Sequence, residues 1–268
     1  MLKIKNLLVV FIVTILFALA GFSYSRFVQP LWLVEMKVQQ PRIVSLGNYY
    51  PLFSMYQFIK GQPEKENAQV VVYNTLKNVL HTYDMKRKFW LDSEFYKQRI
   101  TDNKEVDNKL LTKLIKSISV EEKGPITTIS MRLENPKQAV ALMKEFMTRV
   151  NFDTRALVYN QLIIKWQTLF NEVNQAAQLQ LGKIKQGNII DNEDWAGKLK
   201  MMKSAKILDK KLMAYSSIQT PTQATIDYQR VISFSVFSAI GGLLFSLLFL
   251  NLFNINKRRK SGEEFKKD

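Results

Sequence analysis

The chain of 268 residues contains no cysteine and a single histidine, His81. Without thiols it has no disulfide framework, no thiolate nucleophile and no Cys-based metal centre. With one histidine it forms no His/Cys metal cluster, and a Ser–His pair would have to use His81, near which no G-x-S-x-G elbow stands. His81 lies off the apolar stripe of its predicted helix and reads as an exposed helix residue. A G-x4-G-K-[ST] phosphate loop is also missing. Glu121, Glu122 and Glu134 could in principle serve paired-carboxylate chemistry. They fall in a predicted turn and at a strand end, however, where carboxylates face water. No catalytic set emerges, so no enzymatic activity, cofactor or metal is expected.

Apolar surface, by contrast, is concentrated at both ends. Leu7 to Tyr24 is uncharged over 18 positions, and Val231 to Phe253 over 23. As helices they would reach about 27 and 35 Å at 1.5 Å per residue, near the thickness of the bilayer hydrocarbon. Lys3 and Lys5 flank the first run, and Lys257-Arg258-Arg259-Lys260 closes the second. Under the positive-inside bias both termini are cytoplasmic and the centre lies across the membrane. Ala18-Leu19-Ala20 also fits a signal-peptide cleavage pattern. Either way the centre is exported; two spans are expected. Residues 1–6 would then be a cytoplasmic N-terminus, 7–24 and 231–253 the spans, 25–230 a periplasmic domain and 254–268 a basic cytoplasmic tail.

The net charge of +16 is unevenly spread. Residues 25–230 hold 31 basic against 20 acidic side chains, a net of +11. That surface either attracts acidic glycans, lipids or phosphate, or carries scattered solubilising lysines. The basic residues are not interleaved with aromatics as in a nucleic-acid groove, and no nucleic-acid partner is expected.

The centre reads as α+β. Leu31 to Gln39 alternates, with Trp32, Val34, Met36 and Val38 on one side, as in a half-buried strand that Pro41 ends. After a turn at Gly47-Asn48, Pro51 opens a short helix to about Ile59. Val72, Leu76, Val79 and Tyr83 keep helical spacing, as do Leu110, Leu111, Leu114, Ile115 and Ile118. A hairpin turns at Glu121 to Pro125, after which Thr127, Ile129, Met131 and Leu133 alternate. Asn135-Pro136, with Gln138 three residues on, has the form of a helix start. From Lys137 to Leu181 neither proline nor glycine intervenes. The stripe Val140, Met143, Met147, Val150, Val158, Leu162, Trp166, Leu169, Val173 and Ala176 predicts one helix of about 45 residues, far above the usual 11 to 12. Gly182, Gly187 and Asn188 to Asn192 supply a break. Met201, Ala205, Leu208, Leu212 and Tyr215 then predict a second, shorter helix. The expected architecture is an α/β base (25–135 and 214–230) bearing a long helical hairpin (136–213), flanked by two transmembrane helices.

Small residues recur four apart in the spans: Ser238, Gly242 and Ser246, with Gly241 beside them, and Ser235 with Ala239. The first span has Thr14 with Ala18 and Gly21 with Ser25. Such spacing lets helix backbones approach closely in a bilayer, and glycine is also simply common there. Ser238, Gly241, Gly242 and Ser246 are the candidate membrane-helix contacts, between subunits or with another membrane protein.

The stretch W-x-V-E-M-K-V-x-Q-P-x(4)-L-G-N-Y-Y-P-L-F-S-M-Y, from Trp32 to Tyr56, carries a family resemblance. So do the first span, the hairpin before Asn135-Pro136 with its long helix, Thr220-Pro221-Thr222, and the glycine-containing final span with its basic tail. In this layout the chain resembles the Wzz family of polysaccharide co-polymerases, the chain-length determinants of bacterial inner membranes. It departs in holding only Pro221 before the second span and in a shorter second arm. The resemblance implies a homo-oligomeric ring in the inner membrane. Such a ring works with a Wzy-type polymerase and a lipid-linked glycan to set the chain length of lipopolysaccharide O-antigen or a related surface polysaccharide. It marks Pro221 as a candidate pre-span segment. Without it, the same two-span layout also suits the periplasmic adaptor of an export or efflux assembly.

Overall fold

The computed structural model describes residues 4–27, 31–62, 66–181, 194–227, 232–234 and 236–248. The predicted break at Gly182, Gly187 and Asn188 to Asn192, the small residue Ser235 and the Lys257–Lys260 tail lie outside the described residues. The chain divides into two compact units: Met1–Leu33 with Arg132–Pro136 and Thr225–Asp268, and Val34–Met131 with Lys137–Ala224.

In the first unit, α1 (Ile4–Phe27) is one continuous helix of 24 residues. Residues 232–234 and 236–248 are helical too. Among the described residues no helix is long and apolar enough to cross a membrane. The unit also holds the start of β1 (Trp32–Gln39), which pairs antiparallel with β5 (Thr225–Ile226) as Trp32↔Ile226 and Leu33↔Thr225. Arg132 donates from Nε to Asp227 Oδ2 at 2.8 Å, and the Asp227 side chain is only 7% exposed.

In the second unit the sheet forms as the alternation predicts. Its strand order is β2-β3-β1-β4. Here β2 is Ile118–Lys123, β3 is Ile126–Leu133 and β4 is Ser216–Gln219. Val34, Met36 and Val38 are buried on β1, and Thr127, Ile129, Met131 and Leu133 on β3. The hairpin is tighter than expected. Strand β2 runs on through Glu121 and Glu122 to Lys123, opposite Ile126, so only Gly124 and Pro125 turn. Gly124 permits this with a φ of +60°. The buried Thr127 hydroxyl shares a 2.8 Å hydrogen bond with Tyr73, which removes the cost of burying it.

Helix α2 is Tyr49–Ile59, and Pro51 sits in its first turn, where the missing N–H has no intrahelical acceptor to lose. The predicted helix through Tyr83 is two: α3 (Ala68–His81) and α4 (Tyr83–Asp92), separated by an extended Thr82 at ψ 125°. Asn67 caps α3 by accepting from Gln69 and Val70 N–H. The short α5 (Glu94–Lys97) and then α6 (Lys104–Ser117) follow. Helix α7 (Pro136–Gln178) has 43 residues, close to the expected length, and buries Met143, Met147, Val150, Val158, Leu162, Leu169, Val173 and Ala176 of the predicted stripe. Val140 and Trp166 are half-buried.

The second arm is a correction. Its helix, α8 (Trp195–Lys203), begins earlier than expected and is only nine residues long. It packs on α7 through Met202 against Leu169, Val173 and Ile59, with Trp195 and Leu199 beside them. Beyond Ser204 the chain is not helical: residues 205–215 are irregular. The spacing of Ala205, Leu208, Leu212 and Tyr215 is compatible with a helix, but their backbone groups bond elsewhere, as described below.

Candidate functional site

Two arrangements concern the predicted residues: the packing of the apolar helices, and the fixing of the return segment against α7.

Gly21 of α1 lies against Ser238, so closely that a side chain there would meet Ser238 Cβ and, at 2.7 Å, its Oγ. Gly242 packs on Phe17, where an added Cβ would sit 2.5 Å from the phenylalanine Cβ. Among the described residues nothing lies within 4 Å of such a position at Gly241. Phe17 and Phe245 rings lie 5.8 Å apart. Ser246 is buried and bonds Leu243 O at 2.8 Å, satisfying its hydroxyl within its own helix. Of the four candidate residues, Ser238 and Gly242 therefore face α1 of the same chain, Ser246 is buried, and Gly241 is open. Gly21, noted only for its spacing to Ser25, and Phe17 complete the contact.

The return segment is held by side chains of α7. Asn151, buried, donates to Leu212 O at 3.3 Å and accepts from Ala214 N–H at 2.8 Å, imitating one rung of a strand ladder. One turn on, Arg155 donates to Lys210 O at 2.7 Å, and another turn on Tyr159 donates to Asp209 O at 2.7 Å. These i, i+4, i+8 residues form one polar row on a helix face. They pair the very carbonyls and amides that a continued helix would have used. The motif Leu46-Gly47-Asn48-Tyr49 meets the segment from the other side. Met213 N–H bonds Ser45 O at 2.8 Å, and the Asn48 amide donates to Ile207 O at 2.8 Å. Gly47, at φ +55°, leaves room for the Asp209 carboxylate. Tyr49 stacks on Tyr159 with centroids 6.0 Å apart. Burial, then the nearby Asp209 charge, pushes the Tyr159 phenol up to about 12, so it stays protonated as a donor. Tyr49 and Tyr215 are raised as well, both chiefly by burial. Pro221 is buried in the connection between β4 and β5.

His81 is exposed as expected and contacts Glu122 Oε1 at 3.0 Å, while Lys77 takes Oε2 at 3.1 Å. The Lys77 hydrogen bond leads in holding the Glu122 carboxyl below its usual range, with His81 adding to it. Glu121 pairs with Lys123. Among the described residues no group of three or more His, Asp or Glu side chains could hold a metal.

This fold is that of the polysaccharide co-polymerases. A full-length bacterial polysaccharide co-polymerase superposes with a TM-score of 0.52 at 11% identity, covering 92% of this chain and 94% of that one. A fragment of WzzB, the polysaccharide co-polymerase of Salmonella Typhimurium, gives 0.50 at 10% identity, covering 72% of this chain and 95% of the fragment. By sequence the chain is similar to an ECA polysaccharide chain length modulation protein of Salmonella typhimurium, 32% identical over 112 residues. The namesake of Escherichia coli K12 is 29% identical over 110 residues. These matches cover 39% and 38% of this chain, and the chain spans 31% of the length of each relative. No protein-family model matches.

Proposed function

We propose that this protein modulates the chain length of a surface polysaccharide as an oligomeric scaffold, itself making and breaking no bond. The observation that carries the reading is the correspondence of fold with a full-length polysaccharide co-polymerase over 92% of the chain. The name shared by the relatives favours the ECA polysaccharide, or a polymer like it, over lipopolysaccharide O-antigen. The chain is anchored by two spans in the inner membrane, with the centre in the periplasm. Supporting this, α1 is 24 residues long, about 36 Å, and Phe11, Leu16 and Leu19 stand more than half exposed on it. Phe237, Phe245 and Leu248 are equally exposed on the later helix. Apolar surface of that extent is unfavourable in water, and lipid covers it. Several copies form a ring that works beside a Wzy-type polymerase on its lipid-linked glycan. The test is a gel of surface polysaccharide from cells with and without the protein. A cluster of bands at one length should collapse to a smooth, short-biased ladder on deletion; an unchanged ladder would overturn the reading.

A further inference from the structure

A chain without cysteine offers a two-electron oxidant no thiol, so its softest targets are the thioethers of ten methionines. Accessibility sorts them. Met36, Met85, Met131, Met143, Met147 and Met202 are each at most 6% exposed. Met55 is partly buried against the cluster that joins α7 and α8. Met1 lies outside the described residues. Met201 and Met213 remain, at 36% and 42% exposure.

Of these two, Met213 has its sulfur built into the structure. It lies in the irregular return segment between two fully buried neighbours, Leu212 and Ala214. Its Sδ stands 3.6 Å from Nδ2 of the buried Asn151. Asn151 Oδ1 accepts from Ala214 N–H, which fixes Nδ2 as the donor end of the amide. The Nδ2 hydrogens then go to Leu212 O, at 3.3 Å, and to Met213 Sδ. One side-chain amide thus engages three consecutive residues. Among the described residues the Met201 sulfur makes no hydrogen bond.

Oxidation reverses the polarity of this contact. A thioether sulfur is a weak acceptor, whereas a sulfoxide sulfur is the positive end of an S–O dipole and repels an N–H. If the side chain turns to present the oxygen instead, that stronger acceptor draws the amide from Leu212 O, whose bond is already long. In both cases Asn151 loses part of its hold. The segment has no ladder of its own, so it has few other bonds to keep it in place. At Met201 the same dipole meets water.

We propose that Met213 is an oxidation site whose sulfoxide loosens the Asn151 clamp on the return segment. The reagent is a two-electron, oxygen-donating oxidant such as hypochlorous acid. A sulfur–oxygen bond forms as the oxygen–chlorine bond breaks. Sulfur gives up two electrons, chlorine takes them and leaves as chloride, and the proton passes to water. The product is reversible, since the two stereospecific methionine sulfoxide reductases return it to the thioether. The site rests on the Asn151 geometry and is independent of the chain-length reading.

The purified full chain in detergent micelles is treated with hypochlorous acid at rising molar ratio. Peptide mass spectrometry, hydrogen exchange and thermal melting follow the reaction. Oxygen should add at Met213 and Met201 before the six buried methionines. The melting temperature should fall by about 2–4 °C, the scale of one lost hydrogen bond in a chain of this size. Exchange of the Ala214 amide should quicken about fivefold or more. Treatment with both reductases should restore the two readings, a test that needs no variant. Met213→Leu, close in volume, should melt alike before and after oxidant, while Met201→Leu should respond as the parent does. Oxygen at Met201 but not at Met213, an unchanged melting temperature with Met213 fully converted, or a fall that persists in Met213→Leu would overturn the proposal.

Discussion

Asn151 sits in the middle of an apolar stripe where the sequence pattern alone would ask for a hydrophobe. Its amide serves Leu212 O and Ala214 N–H, both in a segment with no ladder of its own. Removing it orphans two buried backbone groups, at about 1–3 kcal/mol each. Asn151→Ala should therefore cost about 2–6 kcal/mol, read as a lowered melting temperature of the purified chain. Gln167→Ala, exposed on the same helix, should stay within about 0.5 kcal/mol. Equal melting of the two variants would show that the return segment is held by Leu212 burial instead. A second prediction concerns Glu122, whose folded-state value lies below the unfolded one. Its contribution is thus fully present above the unfolded carboxylate value near 4.3 and is lost as pH falls through the folded value. Glu122→Gln should reduce the acid-side fall in melting temperature and change the neutral value little, because the pair is exposed. Parallel curves for variant and parent down to roughly pH 3 would remove the Lys77–Glu122 contact from the acid limb.

Elements were legible where periodicity is strong. The alternation of β1 and β3 and the uninterrupted stripe of α7 placed their buried faces almost residue by residue. The second arm was not legible, because 4-3-4-3 spacing at Met201 to Tyr215 is a statement about side chains only. What decides is the competition for the backbone, and Asn151, Arg155 and Tyr159 win it from a distant part of the sequence. Their signal was present as polar residues four apart inside the α7 stripe. Thr82 was likewise hidden, since one extended residue leaves the spacing across it unbroken. In the apolar helices, four-residue spacing of small side chains marked the right neighbourhood but could not say which glycine is covered. The structure separates them. Gly21→Leu and Gly242→Leu collide with Ser238 and Phe17, while Gly241→Leu meets no neighbour among the described residues. The first two should shift or blur the modal band on a polysaccharide gel with membrane insertion retained, and the third should leave it unchanged. An effect confined to Gly241→Leu would mean that the open face, and so a contact with another molecule, sets the length.

At the scale of the whole molecule, the absence of cysteine is an experimental advantage as well as an exclusion. Any single introduced thiol reports its own side of the membrane without background. If the chain crosses twice, every residue between the spans shares one compartment and the two ends share the other. Ile207→Cys, at 89% exposure, and Val106→Cys, at 49%, should react in intact spheroplasts with a maleimide that cannot cross membranes. Ser261→Cys, outside the described residues, should react only after permeabilisation. The charge pattern argues for the same expectation, because under the positive-inside bias a tail such as Lys257–Lys260 would keep its end at the cytoplasm while long centres export largely regardless of charge. Labelling of position 261 from outside would give a single crossing, and with it a chain whose return segment need not come back to the membrane. A ring of two-span subunits would require that return: the polar row of α7 holds residues 209–214 on their way to the sheet strand β4, from which Pro221 and β5 lead toward the final apolar run. Protection of all three thiols would place the centre in the cytoplasm, where a glycan polymerised outside cannot be met.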